Sequence, residues 1–120
     1  MITKKRILIA EDDFLNQVRI KADLLSLGYE YKIVSDGKQA VEECLSQEYD
    51  IIFMDIAMPE MDGLTASKNI RENGKNIPII ALSAFSERDY QSQTKEAGMN
   101  GYLQKPYFRE QLKSTIESVA

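Results

Sequence analysis

Short apolar runs alternate along this chain with longer stretches in which apolar residues recur every three or four positions. Runs of the first kind are typical of β-strands, and the spacing of the second is typical of amphipathic helices. Nearly continuous apolar runs at 6–10, 50–55 and 77–83 predict strands buried on both faces of a parallel sheet. Mixed polar and apolar residues at 29–34 and 101–105 predict two partly covered edge strands.

Helical spacing fills the intervals between the strands, and cap residues bound several of these segments. Asp36 is a predicted N-cap and Gly28 a predicted C-terminal cap. The segment 87–97 differs, because after its N-cap Ser86 it is mostly polar, which predicts a weakly packed and mobile helix. The predicted buried stripes of the other helices are Leu15, Val18, Ala22 and Leu25; Ala40, Val41, Cys44 and Leu45; Leu64, Ala66 and Ile70; and Phe108, Leu112, Ile116 and Val119.

Five strands alternating with five helices predict right-handed crossovers and a parallel sheet with helices on both faces. Placing the mixed strands at the edges gives the order 2-1-3-4-5, which is the order of flavodoxin-like doubly wound folds. We find no linker, repeat or low-complexity segment, so residues 1–120 are predicted to form a single (βα)5 domain.

Composition narrows the classes of function. The 120 residues carry 15 basic and 19 acidic side chains, which give a net charge of −4. A chain with this charge is not attracted to nucleic acid phosphates, so we expect no direct binding to nucleic acid. No apolar run reaches eighteen residues, and the N-terminus does not resemble a signal peptide, so we expect no membrane span. The single cysteine, Cys44, fits a reducing cytoplasm. The absence of histidine excludes imidazole of this chain as base, ligand or phosphoryl carrier.

Chemically active side chains follow four of the five predicted strands. In this fold, ligands bind at the carboxyl ends of the strands, near the point where the strand order reverses. The residues at those ends are Glu11, Asp12 and Asp13 after strand 1, Asp55 at the end of strand 3, Ser83 at the end of strand 4, and Lys105 at the end of strand 5. Neighbouring strands lie about 4.8 Å apart, so these groups are expected to converge in one pocket.

Carboxylates that crowd together repel one another unless a cation lies among them. Oxygen ligands without histidine suit a hard ion such as Mg²⁺, with Mn²⁺ as an alternative. A lysine and a hydroxyl are suitable partners for phosphoryl oxygens, and aspartate forms acyl phosphates, which makes Asp55 the candidate nucleophile. Taken singly, each residue has an ordinary role as well: Asp13 as a helix N-cap, Ser83 as a backbone-bonded hydroxyl, and Tyr102 as a packing residue.

The sequence resembles the receiver domain of response regulators over essentially its whole length. The resemblance rests on "ILIAEDD" (7–13), "DIIFMDIAMPEMDG" (50–63), "PIIALSA" (78–84) and "GYLQKP" (101–106). It implies that Asp55 is the phosphoacceptor and that Glu11, Asp12, Asp55 and the backbone carbonyl of Ala57 bind Mg²⁺. It further implies that Lys105, preceding a cis-proline bond, contacts the phosphoryl group, and that Ser83 and Tyr102 form the conformational switch. "FLNQ" (14–17) resembles receivers of hybrid sensor kinases.

By the same resemblance, a sensor histidine kinase or histidine phosphotransfer protein donates the phosphoryl group in a Mg²⁺-dependent reaction of two-component (phosphorelay) signalling. The domain catalyses its own phosphorylation and dephosphorylation but serves mainly as a switch. A downstream protein contacts the face formed by helix 4, strand 5 and helix 5. Two alternatives remain open: a receiver-like binding module that is never phosphorylated, and a phosphatase of the haloacid dehalogenase type. The second expects an acid at the position of Ala57.

Overall fold

The computed structural model describes residues 5–119, and the two ends of the predicted domain, 1–4 and 120, lie outside this range. Five strands and five helices alternate over these residues, as the apolar pattern predicted. In chain order they are β1 (Arg6–Ala10), α1 (Phe14–Leu27), β2 (Glu30–Val34), α2 (Gly37–Ser46), β3 (Ile51–Asp55), α3 (Gly63–Glu72), β4 (Ile79–Ser83), α4 (Glu87–Glu96), β5 (Gly101–Gln104) and α5 (Arg109–Ser118).

The strands form one parallel sheet in the order β2-β1-β3-β4-β5, which confirms the predicted topology. Every residue of β3 and β4 is buried, whereas β2 and β5 are only partly covered, as expected for edge strands. The register pairs Ala10 with Met54 and Asp55 with Leu82. The ends of β1, β3 and β4 therefore lie at one edge of the sheet, which brings the residues that follow them together.

Each face of the sheet has its own hydrophobic core, because side chains of successive strand residues point to opposite faces. One core packs α1 and α5 against the sheet, with Ile20, Leu24, Leu112 and Ile116 as buried helix residues. The other packs α2 and α3, with Ala40, Cys44, Ala66 and Ile70. The sheet is therefore a rigid platform whose carboxyl edge carries the candidate site.

The predicted buried stripe of α1 was wrong. Leu15 and Leu25 are 71% and 60% exposed, Val18 and Ala22 are also exposed, and the helix is buried through Ile20 and Leu24 instead. Both sets have helical spacing, and at 100° per residue they lie on roughly opposite sides of the helix. The position of the sheet decides between them, so α1 presents an apolar row to solvent.

Two further predicted core positions are exposed. Leu45 of α2 is 46% exposed, because Ala40 and Cys44 supply the contacts to the sheet. Phe108 is 79% exposed, because it precedes the first turn of α5 and packing starts only at Leu112. Val41, Leu64 and Val119 are half-buried.

Local signals at the helix ends were mostly predicted correctly. Asp36 accepts a hydrogen bond from the Gln39 backbone N–H, and Gly28 ends α1 with a φ of 82°. Ser86 occupies the N-cap of α4, but its side chain makes no cap hydrogen bond. Within α4 itself only Thr94 is buried, in agreement with the predicted weak packing. Across residues 5–119, none of the helices has the length and apolar character needed to cross a membrane.

Candidate functional site

Three carboxylates meet at the carboxyl edge of the sheet, as the strand order predicted. Glu11 and Asp12 follow β1 and Asp55 ends β3, and one oxygen from each lies within 4.8 Å of the others. Glu11 and Asp55 are 2% and 6% exposed, whereas Asp12 is open to solvent. Asp13 does not join the cluster, because its side chain caps α1 by accepting from the Asn16 N–H at 2.9 Å.

Lys105 lies between the two buried carboxylates. Its Nζ is 2.6 Å from Oδ2 of Asp55 and 2.6 Å from Oε1 of Glu11. Strand β5 ends one residue before the prediction, at Gln104, so Lys105 extends from the loop and precedes a cis peptide bond to Pro106. The ammonium is therefore directed into the cleft from the side opposite β1.

The charges in the cleft shift the pKa of two groups. Burial lowers the pKa of Lys105, but its hydrogen bonds to Asp55 and Glu11 outweigh burial and leave that pKa raised. Burial raises the pKa of Glu11, and the opposing hydrogen bond from Lys105 does not cancel this effect. Burial thus makes the ionised form of Glu11 less favourable in free energy than it is in water. A second positive charge nearby would stabilise that ionised form.

The loop after β3 holds the second oxygen of Asp55. The Ala57 N–H donates to Asp55 Oδ1 at 3.0 Å, and Ala57 itself is exposed. Gly63 begins α3, and a Cβ at this position would overlap the carbonyl oxygen of Asp55. Asp62 caps α3 by accepting from the Thr65 N–H at 2.7 Å, so the helix begins directly against the site. The residue pair Asp62-Gly63 predicts a turn into a helix, but it does not predict this close approach, which requires a residue without a Cβ.

Ser83 and Tyr102 are joined through the loop that precedes α4. Ser83 is buried, and its hydroxyl accepts a hydrogen bond from the Phe85 N–H at 3.0 Å. The Tyr102 hydroxyl donates to the Phe85 carbonyl at 2.7 Å. Burial raises the pKa of Tyr102, against the opposing effect of the nearby Ser83 hydroxyl. The ring of Phe85 also contacts Tyr90, so this loop connects the site to the first turn of α4.

The donor set fits a divalent oxygen-binding cation. Three carboxylates and one ammonium leave two negative charges uncompensated when all four groups are ionised. A hard divalent ion such as Mg²⁺ would neutralise that charge and prefers carboxylate and carbonyl oxygens. Glu11, Asp12 and Asp55 are the residues that would hold it, and the exposed side of Asp12 leaves room for water ligands.

The fold and the cleft define a doubly wound α/β protein with a cluster of three carboxylates where the strand order reverses. Residues 7–117 match the family of the response regulator receiver domain. The chain belongs to this family, which functions in two-component signalling together with histidine kinases or phosphotransfer proteins.

Curated relatives include two sensor proteins that are much longer than this chain. The chain is 40% identical to the osmosensing histidine protein kinase SLN1 of Saccharomyces cerevisiae and 34% identical to the sensor protein EvgS of Escherichia coli. These alignments cover 95% and 97% of this chain but 10% of each relative. The transcriptional regulatory protein PdtaR of Mycobacterium tuberculosis is 37% identical over 94% of this chain and 55% of its own length.

Solved structures show the same architecture. The receiver domain of the sensor histidine kinase PA1611 from Pseudomonas aeruginosa superimposes with a TM-score of 0.89, at 42% identity and 97% coverage of both chains. That structure holds a magnesium ion coordinated in its active-site cleft. The chemotaxis protein CheY4 of Vibrio cholerae superimposes with a TM-score of 0.92, at 27% identity, over 98% of this chain and 100% of CheY4.

Proposed function

We propose that this domain accepts a phosphoryl group from a partner phosphohistidine on Asp55 and then signals through protein contacts. The observation that carries the proposal is the position of Asp55. Its carboxylate is buried at the end of the central strand, beside two further carboxylates and 2.6 Å from the ammonium of Lys105. A carboxylate fixed in this way can act as a nucleophile, and the ammonium beside it can offset the negative charge of an incoming phosphoryl group.

In the proposed reaction, an Asp55 oxygen attacks phosphorus, an O–P bond forms, and the P–N bond to the partner's imidazole breaks. The departing imidazole nitrogen keeps the bonding electron pair. Lys105, already within hydrogen-bond distance of Asp55, moves onto the phosphoryl oxygens and offsets their charge. We propose that Glu11, Asp12, Asp55 and the carbonyl of Ala57 would hold Mg²⁺, which when bound would neutralise further charge on the transferring group. Mn²⁺ shares this oxygen preference and is proposed as a substitute.

The proposed switch connects the phosphoryl group to α4. The Ser83 hydroxyl would turn toward a phosphoryl oxygen, and the hydrogen bond that it now accepts from Phe85 would lengthen or break. Because Tyr102 holds the Phe85 carbonyl and Phe85 contacts Tyr90, movement of the loop reaches the first turn of α4. The weak packing of that helix makes a second position accessible at low cost.

Two protein contacts follow from this proposal. A sensor histidine kinase or histidine phosphotransfer protein delivers the phosphoryl group, and the exposed apolar row of α1, which begins directly after Asp13, is a suitable docking surface beside the site. A downstream protein contacts the face formed by α4, β5 and α5, because α4 moves on activation.

We propose a cytoplasmic location and no direct role for nucleic acid or membrane, on the basis of the charge and the single cysteine.

Phosphorylation by a small donor tests this function directly. Wild-type protein incubated with Mg²⁺ and acetyl phosphate is expected to gain one phosphoryl group in intact-mass spectrometry, while Asp55→Asn gains none. Hydroxylamine sensitivity of the adduct would identify an acyl phosphate. Adduct on both proteins would place the acceptor elsewhere, and adduct on neither would favour a binding module that is not phosphorylated.

A further inference from the structure

Gln17, in the first turn and a half of α1, directs its side chain back toward the site loop. Its Nε2 donates to the backbone carbonyl of Glu11 at 2.5 Å and lies 3.4 Å from the Ser35 hydroxyl. Its own backbone N–H bonds to the carbonyl of Asp13, so its position is fixed by the start of the helix. Gln17 is half-buried and connects the loop after β1 with the loop after β2.

The carbonyl that Gln17 holds belongs to the peptide unit between Glu11 and Asp12. That unit joins two of the three clustered carboxylates, so its rotation would turn both side chains relative to Asp55. Other groups hold the rest of Glu11: its N–H bonds to the Val34 carbonyl at 3.0 Å, and its carboxylate accepts from Asp13 and Lys105. Among residues 5–119, the side chain that donates a hydrogen bond to the Glu11 carbonyl is that of Gln17.

We propose that Gln17 is a positioning residue for the metal site, which sets the orientation of the Glu11–Asp12 peptide and thereby the affinity for Mg²⁺. The inference rests on the proposed function, since it assigns Mg²⁺ to the three carboxylates. Groups that orient metal ligands without touching the ion typically change affinity 10- to 100-fold when removed. Gln17 acts on the backbone and not on a ligand atom, so we expect a loss of about tenfold, at the low end of that range.

Titration calorimetry with MgCl₂ alone is the primary test. Gln17→Leu and Gln17→Met both remove the donor while keeping an apolar stem, and both are expected to weaken Mg²⁺ binding about tenfold. Gln47→Leu makes the same chemical change at an exposed position at the end of α2 and is expected to leave the affinity within twofold. Ser35→Ala is also expected to stay within twofold, because its contact with Gln17 is long.

A second readout separates positioning from general loss of structure. The unfolding temperature Tm in EDTA is expected to differ from that of wild type by no more than a few degrees in the Gln17 variants. In acetyl phosphate reactions, the Mg²⁺ concentration for half-maximal rate should rise about tenfold, while the rate at saturating Mg²⁺ stays within about twofold. A merely structural role would lower the unfolding temperature and leave the half-saturating concentration unchanged.

The outcomes distinguish this inference from the proposed function. Unchanged Mg²⁺ affinity in both Gln17 variants, or an equal loss in Gln47→Leu, overturns the role of Gln17 alone. A wild-type protein that takes up no Mg²⁺ overturns the proposed metal site, and the role of Gln17 with it.

Discussion

Lys105 forms ion pairs with two buried carboxylates at once, so replacing it with methionine should destabilise the protein in the absence of metal. The Lys105 side chain is 17% exposed, and those of Glu11 and Asp55 are 2% and 8% exposed. Breaking a buried ion pair by removing one partner costs about 3–5 kcal/mol, because the other charge is left uncompensated. We expect about 3 kcal/mol for Lys105→Met, since Asp12 and the outer side of the cleft remain wet.

Urea and thermal unfolding in EDTA at pH 7 measure this loss. For a domain of 120 residues, about 3 kcal/mol corresponds to a decrease of roughly 10–15 °C in Tm. Saturating Mg²⁺ should reduce the difference in unfolding free energy between wild type and Lys105→Met, because the variant has one more uncompensated negative charge for the ion to offset. Stabilisation by a ligand at 100 times its Kd is about 2.7 kcal/mol, which is enough to detect.

The stability that Lys105 contributes depends on pH, and it decreases at both the alkaline and the acid end of the range. The pKa of Lys105 is raised above its ordinary 10.5, so its stabilising contribution is complete below that pH and is lost as pH rises through the folded-state value. At the acid end, the pKa of Glu11 is raised above 4.5, and its protonation removes one of the charges that Lys105 offsets. The difference between wild type and variant should therefore be greatest near neutral pH and shrink toward pH 4.

A matched control is Lys113→Met on the exposed surface of α5, which should change stability by no more than about 0.5 kcal/mol. A loss below about 0.5 kcal/mol for Lys105→Met at pH 7 in EDTA would contradict a stabilising role of the two ion pairs. So would a difference between wild type and Lys105→Met that does not decrease at low pH.

Three further outcomes follow from the structure. Leu24→Ala should cost about 2–5 kcal/mol and Leu25→Ala no more than about 0.5 in urea unfolding, because the first is fully buried and the second 60% exposed; similar losses would contradict the observed orientation of α1. Gly63→Ala should destabilise by at least about 2 kcal/mol, since its Cβ would overlap the Asp55 carbonyl, and a neutral effect would show that the loop adapts. Mg²⁺ affinity, measured by calorimetry, should fall as pH decreases toward 4.5 because protons compete for Glu11, and Glu11→Gln should flatten that dependence.

Local sequence determined the elements of this protein and the chemistry at their ends. Continuous apolar runs gave strands that are buried on both faces, because only a sheet covered by helices can hide every side chain of β3 and β4. Alternation with helices then left few arrangements of the strands. Since the carboxyl ends of parallel strands share one edge, the meeting of Glu11, Asp55 and Lys105 followed from topology alone.

Tertiary structure decided the features that depend on which side of an element meets the sheet and on contacts between distant loops. Helix α1 carries two apolar rows with the same spacing, and only its position over the sheet buries Leu24 and exposes Leu25. The contact of Gln17 with the Glu11 carbonyl depends on how the start of α1 packs on the loop after β1. Periodicity records that a helix has an apolar side, but the direction of that side is set by packing, which no local pattern contains.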